Sequence, residues 1–87
     1  MKKPVNVTEV VVVGLVGLLG QRVTLFCLNY IYTGTLAGVN DDDVLLEDAA
    51  IVYETGTFND VEWKDAQNLP APWYVRTGAI ESYGVLK

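Results

Sequence analysis

From Gly20 to Tyr53 the chain alternates apolar, β-branched stretches with short clusters of Asn, Asp and Gly. That is the pattern of consecutive strands joined by tight turns. Val23–Leu28 reads as the first strand, with Val23, Leu25 and Cys27 on one side and Thr24, Phe26 and Leu28 on the other. Both sides are largely apolar, so the pattern predicts cover on both faces, one from a core and one from a helix or a neighbouring subunit. Tyr30–Val39 is a long second strand in which Gly34 and Gly38 mark bends. Asn40–Asp43 is a turn, and Val44–Tyr53 is the third strand. Trp73–Thr77 and Ala79–Leu86, parted near Gly78, read as the last two. A long, bent central strand lets a short sheet curl into a small barrel.

Two stretches lie outside this strand pattern. Val7–Leu19 admits two readings. Thr8 can cap a helix that places Val12, Leu15, Val16 and Leu19 on one stripe. Alternatively, Val7–Val13 is an extra strand and Gly14–Gly20 a turn, since valine and glycine are poor helix formers. Thr55–Pro72 is a long excursion, and loops of that length are usually functional or disordered. Within it Asn59–Gln67 reads as a short helix, with Asn59 and Glu62 spaced as a capping box and Asp60 and Lys64 one turn apart. Its tryptophan, Trp63, predicts an ordered, partly buried loop, which Leu69-Pro70-Ala71-Pro72 ends in a stiff extended segment.

The segments Gly20, Val23-Thr24-Leu25, Tyr32-Thr33-Gly34-Thr35-Leu36, Val39-Asn40 and Val44-Leu45-Leu46-Glu47-Asp48-Ala49, in that order, resemble the first motif of the Sm/LSm (Hfq-like) family. Val75 to Tyr83 resembles the shorter second motif. The resemblance implies one Sm-like domain over residues 1–87: a mainly β, strongly bent, five-stranded antiparallel barrel with a short N-terminal helix. It favours a short helix over Val12–Leu19, and it makes 55–72 the variable loop between the third and fourth strands. It also implies homo-oligomeric rings, in which the last two strands pair with the edges of neighbouring subunits, and often RNA binding. Arg76 stands where the second motif has its arginine, although Thr77-Gly78 follows in place of the expected Arg-Gly pairing. Asn40 stands where the family often has Asp. Asp43 is followed directly by Val44, so the family's base-holding Asn before the third strand is absent or displaced.

Composition narrows the function classes. The chain has 87 residues, room for one domain, and 51% of them are hydrophobic. Excess apolar surface on so small a domain is usually buried between subunits. The lone Cys27, amid Leu25, Phe26 and Leu28, reads as a small buried hydrophobe and excludes an intrachain disulfide. With no histidine, Ser-His and Cys-His systems and histidine metal sites are ruled out, and no phosphate loop appears, so the chain does not read as an enzyme. Asp41-Asp42-Asp43 lacks the alternating ligands and glycine pivot of a calcium loop. No cofactor or metal is expected. The apolar run Val10–Leu19 is ten residues, about half a membrane span. Lys2 and Lys3 mimic the start of a signal peptide, but Glu9 interrupts it and no small-residue cleavage site follows. The expectation is a cytoplasmic protein that does not enter the membrane.

Charge argues against a conventional nucleic-acid binder: six basic and eleven acidic residues give a net charge of −5. A ring multiplies each residue, however, so a circle of Arg76 side chains makes a local positive pore. Tyr30 and Tyr32 offer stacking faces near the first hairpin, although packing against cross-strand neighbours is the ordinary use of strand aromatics. The candidate RNA contacts are therefore Arg76, Asn40, Tyr30 and Tyr32. The competing reading is an oligomer that binds a protein partner through loop 55–72.

Overall fold

Five of six strands form where the β-branched and aromatic runs predict them, in a computed structural model that describes residues 13–87. β1 (Arg22–Cys27), β2 (Ile31–Val39), β3 (Asp43–Glu54), β4 (Asp65–Asn68), β5 (Trp73–Arg76) and β6 (Ile80–Gly84) make one antiparallel sheet. Its order is β4-β3-β2-β1-β6, with β5 also paired to β3. β3 is long enough to carry two partners: β5 pairs with its first half, Asp43 to Leu46, and β4 with its second, Ala50 to Glu54. β5 passes into β6 through a three-residue 3-10 turn, Thr77–Ala79, and the two strands do not pair.

Residues 13–16 are helical, and turns over 17–20 lead into β1. The start of that helix and the choice between helix and strand over residues 7–12 lie outside the described residues. The exit is fixed by Gly20, at φ +86°, whose N–H donates to Leu36 O at 2.8 Å. This swings Leu15 fully into the core. There it joins Val23, Leu25, Leu36, Val44, Leu46, Ala49 and Val75.

Gly34 sits where the sheet bends, as its place in the sequence predicts. Thr33 pairs with Ala50 and Thr35 with Glu47, so Asp48 and Ala49 together oppose Gly34. That is a β-bulge. Because side chains alternate with period two, the extra residue reverses which side chains face the core beyond it. Ala49 enters the core while Asp48 is exposed, at φ +48°. Asp tolerates this left-handed conformation better than most side chains. Gly34 itself does not have a positive φ. Glycine is needed there because of close approach: a Cβ would sit 3.0 Å from Glu47 O and 3.2 Å from Ala49 Cα.

The helix expected over Asn59–Gln67 does not form. Its first half is a turn, with Asp60 N–H donating to Thr57 O, and its second half is β4. The open edge of β3 supplies a ladder of backbone hydrogen bonds that outweighs the weak helical preference of this polar segment. The 55–72 excursion thus contains a sixth strand, where five strands were expected. Trp63 is half-buried, as expected of the loop's anchor. Among the described residues no helix is long and apolar enough to cross a membrane.

β1 is covered on both faces at its centre, with Val23, Thr24 and Leu25 all fully buried. Thr33, opposite Thr24, donates its hydroxyl to Val23 O at 3.0 Å. Thr24 Oγ1 has no partner among the described residues. A buried hydroxyl without a partner costs about 1–3 kcal/mol. Thr24→Val keeps the shape and removes that cost, so it is expected to raise the thermal midpoint by several degrees, given roughly 4–8 °C per kcal/mol in a domain of this size. A lowered midpoint in a thermal melt would show that the hydroxyl is satisfied in solution.

Candidate functional site

The tight connection between β1 and β2 builds one wall of a cavity. Cys27 N–H donates to Tyr30 O at 3.0 Å, closing the turn, and Leu28 N–H donates to Ala79 O at 3.2 Å, tying it to the 3-10 turn. Tyr30 and Tyr32 lie two apart along the chain, on one face, and their rings meet edge to face at 6.3 Å. β5 supplies the opposite wall. In it Val75 is buried while Tyr74 and Arg76 point outward on the other face. The half-open cavity between them is about 230 Å³, lined by Tyr30, Tyr32, Tyr74 and Arg76 together with Cys27 and Asn29.

Three of the four residues singled out from sequence therefore meet. The fourth, Asn40, does not line this cavity. Its side-chain oxygen accepts from the N–H groups of Asp42 and Asp43, both at 2.8 Å, and its carbonyl accepts from Thr77 Oγ1 at 3.2 Å. Thr77 N–H in turn donates to Asp42 O at 2.8 Å. Asn40 is thus the knot that holds the β2–β3 turn against the 3-10 turn, a common use of an Asx side chain. The same knot carries Asp43 to within 3.7 Å of Arg76 Nε.

Tyr74, Asn29 and Cys27 complete the cavity but were not singled out as site residues. Tyr74 had a legible signal, since it stands two residues before Arg76 and so shares its strand face. Asn29 and Cys27 had none, because only the β1–β2 turn brings them to the rim.

Burial pushes the Cys27 thiol pKa up. Burial, then the neighbouring Cys27 and Tyr30, raises that of Tyr32. The thiol and this phenol therefore remain neutral at physiological pH, and beside them the cavity offers aromatic faces and an amide. Its cation is Arg76, whose side chain is 80% exposed. The other described cations are engaged elsewhere: Arg22 with Asp48 O, Lys64 with Glu54, and Lys87 with loop carbonyls. Three phenol rings beside one guanidinium suit a planar ring carrying a nearby negative charge. No family model matches the chain, and no curated protein matches it.

Proposed function

We propose that this chain is the subunit of an Sm-like, ring-forming binding module that takes single-stranded RNA, weakly, through its tyrosine–arginine cavity. The observation that carries the reading is the convergence of Tyr30 and Tyr32, from the β1–β2 connection, with Arg76, from β5, on one cavity. Bases stack on aromatic faces whatever their sequence, and a guanidinium pairs with phosphate. The fold favours a curled, barrel-like subunit. β1, β2, β3 and β5 pair in succession, β6 returns to β1, and a three-residue turn links β5 to β6. The unpaired sides of β5 and β6 are edges that neighbouring copies can extend. Trp73, Val85 and Leu86 are exposed along these strands and just beyond, which is apolar surface suited to subunit contacts. A ring would set one Arg76 per subunit around its pore and offset the net charge of −5 locally.

A second reading, a scaffold oligomer that binds protein through loop 55–72, draws support from Phe58 and Val61, exposed by 55% and 88%.

Light scattering at micromolar concentration, with anisotropy titrations of short U-rich and A-rich oligonucleotides at roughly 50 and 200 mM salt, tests the proposal. A closed oligomer whose binding weakens steeply with salt is expected. A monomer sinks the ring. An oligomer that binds neither oligonucleotide at the lower salt leaves the protein-binding reading in its place.

A further inference from the structure

The backbone of the loop from Thr55 to Trp63 gathers around a single, half-buried ammonium group. Lys87 Nζ donates to Thr55 O at 3.0 Å, to Thr57 O at 2.7 Å and to Glu62 O at 3.1 Å. It also lies 4.6 Å from the centroid of the Trp63 ring. An alkylammonium has three N–H donors and no acceptor. Here each donor meets its own backbone carbonyl, and the charge faces an aromatic ring. The loop is shaped to aim those carbonyls inward. Gly56 takes φ +66°, with a Cβ there meeting Lys64 Cβ at 3.2 Å, and Asp60 N–H closes the turn onto Thr57 O. β4 then fixes the far end by pairing with β3.

We infer that this loop is a receptor for a primary alkylammonium, of the lysine side-chain type, and that Lys87 fills it in cis. The donor set discriminates by chemistry. A tertiary or quaternary ammonium cannot supply three donors, and a planar guanidinium cannot aim them at three converging carbonyls. An acylated lysine has lost both the charge and two of its donors. The receptor shares no residue with the tyrosine–arginine cavity, so the two can be tested by separate substitutions. Its consequence is that Lys87 orders the loop bearing the exposed Phe58 and Val61, and that removing the amine or acylating it opens the loop.

Two experiments test this. In the unmodified protein, acetylation by a limiting amine-reactive ester, mapped by mass spectrometry, is expected to modify Lys87 at least several-fold more slowly than Lys64. Lys64 has only one exposed ion pair to leave. Equal rates would overturn the cis occupancy. The second experiment uses Lys87→Met, which keeps an apolar stem over Trp63 and removes the ammonium, in a Trp73→Phe background that leaves Trp63 as the sole indole. Protease cleavage within 55–64 is expected to speed up several-fold. Millimolar n-butylammonium should slow it again and shift the Trp63 indole resonance saturably, whereas tetramethylammonium should do neither. Lys87→Arg should cleave like Lys87→Met. Unchanged cleavage in Lys87→Met, or equal responses to the two ammonium ions, would overturn the receptor.

Discussion

Gly34→Val is expected to lower the thermal midpoint by roughly 10 °C or more. A Cβ at this position meets Glu47 O and Leu46 Cβ at 3.0 Å and Ala49 Cα at 3.2 Å. Two of those three atoms belong to backbone, on the bulged turn of β3 that shifts Ala49 into the core. They cannot rotate away as a flexible side chain would. Overpacking of this kind costs about 1–3 kcal/mol, and valine adds two methyl groups beyond the Cβ. The opposing gain, from replacing a strand glycine with a β-branched residue, is at most about 1 kcal/mol. With those methyls placing the cost at the top of its range, the clash wins by about 2 kcal/mol, a sizeable part of a net stability of about 5–15 kcal/mol. Gly84→Ala is the matched control, since a Cβ there meets nothing within 4 Å, and its midpoint should move little. A thermal melt of Gly34→Val that overlays the unmodified protein would mean that the bulge does not press on β2 in solution.

Arg76→Ala is expected to weaken oligonucleotide binding by at least tenfold, with hardly any change in stability. The two effects separate because the Arg76–Asp43 pair is 3.7 Å long and its arginine 80% exposed. Such surface pairs contribute about 0–1 kcal/mol. A phosphate can take the guanidinium from Asp43 at little cost. In a ring the substitution removes one cation from every subunit, so the salt dependence of binding should flatten as well. Asp43→Asn makes the opposite test. It leaves the backbone knot around Asn40 in place and frees the guanidinium, so binding at low salt should tighten. Tyr32→Leu should cost binding by loss of stacking, about 1–3 kcal/mol per base. Affinity that survives Arg76→Ala would remove the cavity from the RNA reading and favour the loop-mediated protein partner.

The sequence alone determined five of the six strand-forming segments and the Asn40–Asp43 turn, because residue type and local spacing govern those features. Gly34 was legible for the same reason, as a residue without a side chain in the middle of a strand. Tyr30, Tyr32 and Arg76 were legible as chemical types, but their meeting was not, since it depends on which strand lies beside which. Asn40 was legible as a chemical type too, but its carboxamide can hold a base or cap a turn, and residue type alone does not choose between them. In the structure the carboxamide caps the turn through the N–H groups of Asp42 and Asp43, and Thr77 adds a bond to the Asn40 main-chain carbonyl from across the fold. The segment Asp65–Asn68 is polar and wholly exposed, with no strand pattern of its own. Only the open edge of β3 makes it β4, in place of the helix that its caps suggested. The Asp48 bulge and the Lys87 cage belong to the same class. Each is set by contacts between residues distant in sequence, where backbone hydrogen bonding and steric fit outweigh local preference.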